Sequence, residues 1–320
     1  MSEFLTIGEP VVTFMSTNPD ASLVDTRDYF KLLGGAELNV AIGVQRLGHS
    51  AEYISRLGSD PLGQFAKKTI LEHGVSTHYI AEDPEHWTGF QLKQLVTQGD
   101  PATFNYRAGS AATYLDDAFI DQVDLSEVKI AHMSGIFPAL SATTNQAFRH
   151  FLNRLQEAGT FITFDPNLRP ALWQDDERMI TDINTFAQTA NIVMPGINEG
   201  LILTGSDNPE TIADFYLQSP KTEAVIVKLG PAGAYVKWQD GQDKTVPGFT
   251  VNQVVDTVGA GDGFALGVIT ALLEGASLDQ AIIRGNAVGA LQVQKPGDND
   301  GYPTPTELAA FYEQEEMGEK

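Results

Sequence analysis

Residues 256–264, DTVGAGDGF, bring three glycines and two aspartates together just before the apolar run ALGVITALL. A glycine run at the start of a helix lets backbone N–H groups point into one small cavity, where the helix end favours phosphate. Gly259, Ala260 and Gly261 are the candidate donors. Asp262 would lie at the mouth of that cavity and could remove a proton from an attacking hydroxyl. The helix end is expected to hold the pKa of Asp262 low, so that the carboxyl stays ionised.

The same stretch has a plainer interpretation, in which Asp262 caps the helix and the glycines form a turn. Spacing alone does not separate the two interpretations. Two common phosphate motifs are excluded, because the chain has no GxxxxGK[ST] segment and GAGDGF does not complete GxGxxG.

Two arginines are further candidates for chemistry. Arg107 occurs in FNYRAGSAA, and Arg169 occurs in FDPNLRPALW just after an apolar run. A guanidinium group binds a carboxylate or a phosphate through two parallel hydrogen bonds. Each arginine alone is better explained by a surface salt bridge. Together they suggest a clamp on an anionic substrate.

The composition limits the possible partners. The chain has 320 residues, with 42 acidic and 20 basic side chains and a formal net charge of −22. Such a surface repels nucleic acid and anionic membranes, so neither is expected as a partner. The absence of cysteine excludes disulfides, iron–sulfur clusters and thiolate zinc sites. Without a signal-peptide pattern or a long apolar run, a soluble cytoplasmic protein is expected.

Alternating strands and helices must position these residues. Strands are predicted at 4–8, 51–58, 129–135, 161–167, 191–196 and 224–230, and helices at 38–48, 63–74, 142–158, 176–189 and 198–204. This alternation predicts an α/β fold with a parallel sheet covered by helices on both faces. Ligands of such sheets bind at the carboxyl ends of the strands.

Two segments interrupt the alternation. Residues 9–33 and 87–106 are predicted to be extended chain joined by Gly-Asp-Pro turns. Each lies between elements of the α/β core. We expect them to form a small β-sheet lid on a single domain that spans residues 1–320.

The DTVGAGDGF stretch resembles the C-terminal signature of the ribokinase-like (phosphofructokinase-B) carbohydrate kinases. Four further segments match in the order of the family: GGAELNVAIGVQRLG at 34–48, GSDPLG at 58–63, VKLGPAGAYV at 227–236 and GNAVGA at 285–290. Leu266 departs from the pattern, which has a small residue there, and this change concerns helix packing. The resemblance implies a doubly wound, mostly parallel α/β fold with a small β-sheet lid, often paired with the lid of a second subunit.

The resemblance also implies ATP-dependent phosphorylation of a primary hydroxyl, with Asp262 as base and the backbone of residues 259–261 as anion hole. It assigns nucleotide contacts to Asn167, Lys228, Gly230, Gly233, Gly259, Gly261 and Asn286. For Gly230, Gly233 and Asn286, turn formation and helix packing remain alternatives. Glu199 matches the glutamate of the Asn-x-x-Glu motif of the family, which organises Mg²⁺ through water. Gly196 replaces the asparagine of that motif.

Several segments resemble the sugar-acid kinases of the family that act on 2-keto-3-deoxygluconate: YRAGSAA, SGIFPALS, FDPNLRPALW and PGDNDGYPT. The resemblance implies phosphorylation of the terminal hydroxyl of that sugar acid to its 6-phosphate. It assigns substrate contacts to Gly35, Asn39, Gln91, Tyr106, Arg107, Arg169, Asp262 and Asp298. Glu9 stands where many sugar-binding relatives have an aspartate.

Two alternative functions remain open. Fructokinases and other sugar kinases share much of this pattern, but fructose has no carboxylate, so Arg107 is the discriminating residue. A member without catalytic activity could serve as a sugar-sensing binding protein. The intact Asp262 and glycines argue against that alternative.

Overall fold

The structure is a computed structural model that describes residues 2–97, 99 and 101–318. Gln98 and Asp100 belong to the second predicted lid segment and lie outside the described residues, as does the turn predicted at Asp100. The strands are β1 Phe4–Ile7, β2 Val11–Ser16, β3 Tyr29–Gly34, β4 Ala51–Gly58, β5 Ile80–Asp83, β6 Phe90–Lys93, β7 Thr103–Tyr106, β8 Ile130–Ser134, β9 Phe161–Asp165, β10 Ile192–Val193, β11 Ala224–Lys228, β12 Ala234–Trp238 and β13 Asp243–Val246. The helices are α1 Ala36–Arg46, α2 Pro61–Glu72, α3 Asp117–Ile120, α4 Ala142–Glu157, α5 Asp176–Ala187, α6 Ile197–Thr204, α7 Pro209–Tyr216, α8 Ala260–Leu273, α9 Leu278–Gln292 and α10 Pro305–Gly318.

The large sheet has the strand order β13-β12-β11-β10-β9-β8-β1-β4-β5. Seven of these strands are parallel to one another: β11, β10, β9, β8, β1, β4 and β5. Strands β12 and β13 extend the sheet as antiparallel strands. From β1 the chain adds β4 and β5 on one side of the sheet and then adds β8 to β13 on the other side. This order confirms the doubly wound, mostly parallel fold. In such sheets the change of direction opens a crevice at the carboxyl ends of the strands.

Helices cover both faces of this sheet. One apolar cluster joins β1 and β4 to α1, α2, α8 and α9, and the other joins the opposite face to α4, α5 and α7. Leu266 of α8 packs so closely on Gly43 of α1 that a Cβ at Gly43 would overlap its side chain. The unusual leucine therefore acts on helix packing, as expected. None of the described helices combines the length and the apolar composition that crossing a membrane requires.

A second, four-stranded sheet has the order β3-β2-β6-β7. Its strands come from both segments that interrupt the α/β alternation. The outer pairs are antiparallel, whereas β2 and β6 run parallel because the chain returns to this sheet only after α1, β4, α2 and β5. The two-part insertion places β2 and β6 beside the carboxyl end of β1.

Candidate active site

A cavity of about 520 Å³ lies between the small sheet and the carboxyl ends of the central strands. Residues from both sheets and from the start of α8 line it. Those predicted from the sequence are Gly35, Asn39, Gln91, Arg107, Asn167, Arg169, Glu199, Lys228, Gly259, Gly261, Asp262 and Asp298. The fold thus brings most of the candidate residues into one cavity, from positions far apart in the chain.

The start of α8 forms one end of the cavity. Gly259 is the N-cap residue with φ +77°, and a Cβ there would overlap the backbone of Asp298, so only glycine fits. The first N–H groups of a helix have no partner inside it, which leaves the Gly261 N–H available to an anion. Ala260 does not line the cavity, and its N–H donates to the Thr257 carbonyl at 3.3 Å. Asp256, the other aspartate of the motif, accepts from the Val258 N–H and shapes the turn.

Asp262 lies between two amide side chains. Asn39 Nδ2 donates to its Oδ2 at 2.9 Å, and Asn167 Nδ2 donates to its Oδ1 at 3.4 Å. Burial raises the pKa of Asp262 to about 6; the Asn39 hydrogen bond lowers it and the charge of Asp165 raises it further. The expectation of a low pKa was therefore wrong. Desolvation under the small sheet outweighs the helix end.

A buried charge cluster adjoins Asp262. Lys228 Nζ at the end of β11 donates to Asp165 Oδ2 at the end of β9, at 2.6 Å. Burial lowers the pKa of Lys228, but the charges of Asp165 and Glu199 outweigh this effect and leave it raised, so the ammonium stays charged. Asp165 was not predicted as a site residue. Its place in FDPN, at the carboxyl end of a predicted strand, was the available signal.

Glu199 occupies the third position of α6 and faces the same cluster. Its Oε2 accepts from the Gly196 N–H at 2.7 Å and its Oε1 from the Leu168 N–H at 2.8 Å. Burial raises the pKa of Glu199, as does Asp165. A divalent cation nearby would offset this concentration of negative charge, so these residues fit a Mg²⁺ ion held mainly by phosphate and water.

Arg107 and Glu9 also line the cavity. Arg107 Nε donates to Glu9 Oε2 at 2.6 Å, and the Ser110 hydroxyl donates to Glu9 Oε1 at 2.6 Å. Arg107 therefore forms a salt bridge, as its plainer interpretation predicted. Because Glu9 is buried, this salt bridge lies inside the cavity and not at the surface. Arg169 is exposed, and its Nη1 donates to the adjacent Leu168 carbonyl.

Three other predicted substrate residues line the cavity. Gly35 precedes α1 with φ +134°, and a Cβ there would approach the Glu9 carbonyl oxygen to 2.7 Å. Gln91 of β6 donates to the Thr13 hydroxyl at 2.8 Å. Burial raises the pKa of Asp298. The charge of Lys93, whose Nζ lies 3.8 Å from Asp298 Oδ1, lowers it in part.

Besides Ala260, four predicted contacts do not line the cavity. Tyr106 is 43% exposed, and its ring stacks on Phe90 with 4.7 Å between ring centroids. Asn286 donates to the Val246 and Pro247 carbonyls, which supports its packing interpretation. Gly230 and Gly233 form the turn after β11 with φ of +60° and +97°. Nucleotide or substrate contact by these four residues stays a prediction.

Glu37 also lines the cavity and was not predicted from the sequence. It lies in the first turn of α1, is 1% exposed, and its Oε1 has no hydrogen-bond partner among the described residues. Burial raises its pKa to about 7 despite a hydrogen bond from Ser134 and the charge of Arg107. Its position in GGAELN, at the start of a predicted helix, was the only signal in the sequence.

Comparison with known proteins agrees with this architecture. The 2-dehydro-3-deoxygluconokinase of Bacillus subtilis (strain 168) is 44% identical over 308 residues, covering 96% of this chain and 94% of that protein. Fructokinase-1 of Oryza sativa subsp. japonica is 30% identical over 316 residues, covering 97% of each chain. A solved structure from E. coli, assigned as Ribokinase II and complexed with ATP and Mg²⁺, superimposes with a TM-score of 0.88 at 26% identity, covering 98% of this chain and 100% of the other.

The profile of the pfkB family carbohydrate kinases matches residues 1–305, which include both sheets and the whole cavity. The chain therefore belongs to the pfkB family of carbohydrate kinases.

Proposed function

We propose that the protein transfers the γ-phosphoryl group of ATP to the terminal hydroxyl of 2-keto-3-deoxygluconate. The observation that carries this proposal is the arrangement of one cavity, with Asp262 and the start of α8 at one end and Arg107 and Arg169 among its lining residues. The 44% identity to a 2-dehydro-3-deoxygluconokinase supports the same substrate. The product is the 6-phosphate of the sugar acid.

The sugar acid is oriented by its carboxylate. Arg107 is held by the buried Glu9, which limits the rotamers of its long side chain. Arg169 reaches the cavity from the loop after β9. Two guanidinium groups suit a planar carboxylate. Gly35, Asn39, Gln91, Tyr106 and Asp298 are the further proposed contacts of the sugar.

Asp262 accepts the proton of the terminal hydroxyl during transfer. At neutral pH most Asp262 carboxyl groups are ionised, because their pKa of about 6 lies below that pH. A base with a pKa near the working pH is more effective than one held near 4. The backbone N–H groups of Gly259 and Gly261 stabilise the charge that develops on the transferring group, whereas the predicted contribution of Ala260 would require its N–H to leave the Thr257 carbonyl.

The nucleotide is proposed to lie along Asn167, Lys228, the Gly230–Gly233 turn and Asn286. Mg²⁺, organised through water by Glu199, would neutralise phosphate charge when bound. Closure of the small sheet over the cavity would exclude water and limit hydrolysis of ATP.

The small sheet is also the proposed contact between two copies of the chain. Phe30, Phe104 and Tyr106 on its strands are 40%, 59% and 43% exposed. Apolar side chains concentrated on one small element are typical of interaction surfaces. We also propose that the enzyme acts in the cytoplasm, where ATP is available.

Phosphorylation of fructose is the second candidate function. Arg107 is already paired with Glu9, so its charge is partly neutralised and a neutral sugar would not be rejected on electrostatic grounds. The 30% identity to a rice fructokinase favours the same alternative.

The test is ADP release from ATP and Mg²⁺ with 2-keto-3-deoxygluconate or fructose as acceptor, at equal concentrations. We expect kcat/KM for the sugar acid to exceed that for fructose by at least about tenfold, the effect of about 1.4 kcal/mol of preferential binding. An equal or higher kcat/KM for fructose would contradict the sugar-acid proposal and leave the family assignment intact.

A further inference from the structure

Lys228 is a basic residue that lies beside the start of α8 in the cavity. A Cβ built on Gly261 would lie 3.8 Å from Lys228 Nζ, which is the nearest heavy atom among the described residues apart from the chain neighbours of Gly261 and the local backbone of α8. Both residues line the cavity. An ammonium group therefore stands next to the N–H donors that are expected to receive phosphate oxygen.

The ammonium group is held in place by the fold. Its partner Asp165 is 2% exposed and closes β9, and Lys228 closes β11, with only the two-residue β10 between these strands. The Lys228 N–H donates to the Pro195 carbonyl at 2.8 Å, which fixes the backbone beside Gly196. Gly196 has no side chain, so the neighbouring Lys228 supplies a charged donor to the cavity at a point of the sheet where Gly196 supplies none.

A purely structural ion pair would explain only part of this arrangement. An ion pair of that kind needs only the bond between Lys228 and Asp165. It does not need Lys228 Nζ to lie beside Gly261 or Lys228 to line the cavity. Asp165 bonds the ammonium group directly, and the charges of Glu199 and Asp262 also favour its protonated form. These charges keep the lysine protonated. One of the three N–H donors of the ammonium group bonds Asp165, and the other two can serve another partner.

We propose that Lys228 is a catalytic residue that contacts the transferring phosphoryl group and stabilises its developing negative charge, and that Asp165 is the positioning residue that aims it. The inference rests on the proposed phosphoryl transfer and adds a transition-state role to the nucleotide contact already assigned to Lys228. A bond forms between the sugar hydroxyl oxygen and the γ-phosphorus. The bond from the γ-phosphorus to the bridging oxygen breaks, its electron pair leaves with ADP, and the hydroxyl proton passes to Asp262. Lys228 keeps its proton throughout.

The experiment compares Lys228→Met with the wild-type protein, using kcat and KM for 2-keto-3-deoxygluconate and for fructose, and the Kd of ADP by titration calorimetry. Loss of one donor to a transition-state charge typically lowers kcat by about 10²–10³-fold. We expect that loss with the acceptor that the wild-type protein prefers, and a change in the Kd of ADP below about threefold. A kcat within about threefold of wild type, or an equal weakening of ADP binding, would overturn the proposal.

Lys228→Met leaves Asp165 buried without its partner, which can disturb the fold. The double variant Asp165→Asn/Lys228→Met removes that charge as well. A double variant that is still slow supports the catalytic role, whereas recovery of wild-type kcat shows that only the unpaired carboxylate mattered and overturns it.

Lys237→Met is the matched control, because Lys237 on β12 is also paired with carboxylates, Asp214 at 2.7 Å and Glu210 at 3.2 Å, but does not line the cavity. It should keep wild-type kcat. A wild-type protein that prefers fructose contradicts the sugar-acid proposal alone, since Lys228 is then tested with fructose. A wild-type protein that phosphorylates neither acceptor overturns both proposals.

Discussion

Asn39 donates a hydrogen bond of 2.9 Å to Asp262 from 223 positions earlier in the chain. The amide of Asn39 is itself fixed, because Asn299 Nδ2 donates to its Oδ1 at 3.0 Å. The first turn of α1 and the first turn of α8 are thus joined through the proposed base. This contact orients the Asp262 carboxylate and favours its ionised form.

Asp262→Asn should lose turnover and keep affinity. An amide cannot accept the hydroxyl proton, and general-base catalysis typically contributes about 10²–10⁴-fold to the rate. We expect kcat to fall by that factor, while KM for the sugar acid and for ATP changes less than about threefold. Initial rates of ADP release across both substrate concentrations measure this. A variant with near-normal kcat would contradict the assignment of Asp262 as the base.

The pH dependence of kcat/KM follows from the same carboxyl group. Its pKa in the folded protein is raised to about 6, so the required ionised form is lost as the pH falls through that value. We expect kcat/KM to decline below about pH 6, and Asn39→Ala to move this inflection to higher pH, because the hydrogen bond to Asn39 lowers the pKa. A pH–rate profile of both proteins measures the shift. An unchanged inflection in Asn39→Ala would assign the profile to another group.

The two arginines should differ in their effect on stability but not on substrate recognition. Loss of a hydrogen bond to a charged group costs about 1.5–3 kcal/mol, which corresponds to a rise in KM of roughly 10–100-fold. We expect that rise for the sugar acid in both Arg107→Ala and Arg169→Ala, with less than about threefold change for fructose. Only Arg107→Ala should lower the melting temperature, because it leaves the buried Glu9 unpaired.

Equal rises in KM for the two sugars would remove the carboxylate clamp and return both arginines to a general role in the cavity. Arg107→Ala combined with Glu9→Gln separates recognition from folding, since it removes both members of the pair. Its melting temperature should recover relative to Arg107→Ala, and its KM for the sugar acid should not.

The sequence predicted the alternating α/β core, the small sheet and many residues of the cavity, because motif residues such as Gly259 and Asp262 carry their geometry locally. It did not predict β5 or the antiparallel strands β12 and β13 at the edges of the large sheet. It did not predict the raised pKa of Asp262, since the desolvation comes from distant segments that fold over it. The orientation of Tyr106 depends on its contact with Phe90 across the β6–β7 pair, which no local pattern encodes. The pairing of Arg107 with Glu9 likewise joins positions 98 residues apart.

Glu37 should lower the stability of the unliganded protein at neutral and alkaline pH. Its pKa is about 7 in the folded protein against 4.5 for an ordinary glutamate, so the folded state holds the proton more tightly than the unfolded state does. The free energy of unfolding therefore falls as the pH rises from about 4.5 to about 7, by at most about 3 kcal/mol at 1.36 kcal/mol per pH unit.

Glu37→Gln removes this penalty, because an amide stays neutral at every pH. We expect its melting temperature to exceed that of wild type at pH 8 and to equal it at pH 4.5, measured by thermal unfolding without substrates. Glu82→Gln is the control, since Lys67 lowers the pKa of Glu82 on the surface and its loss should give no gain at pH 8. An equal gain from Glu37→Gln at both pH values would show that packing, and not the buried charge, is responsible.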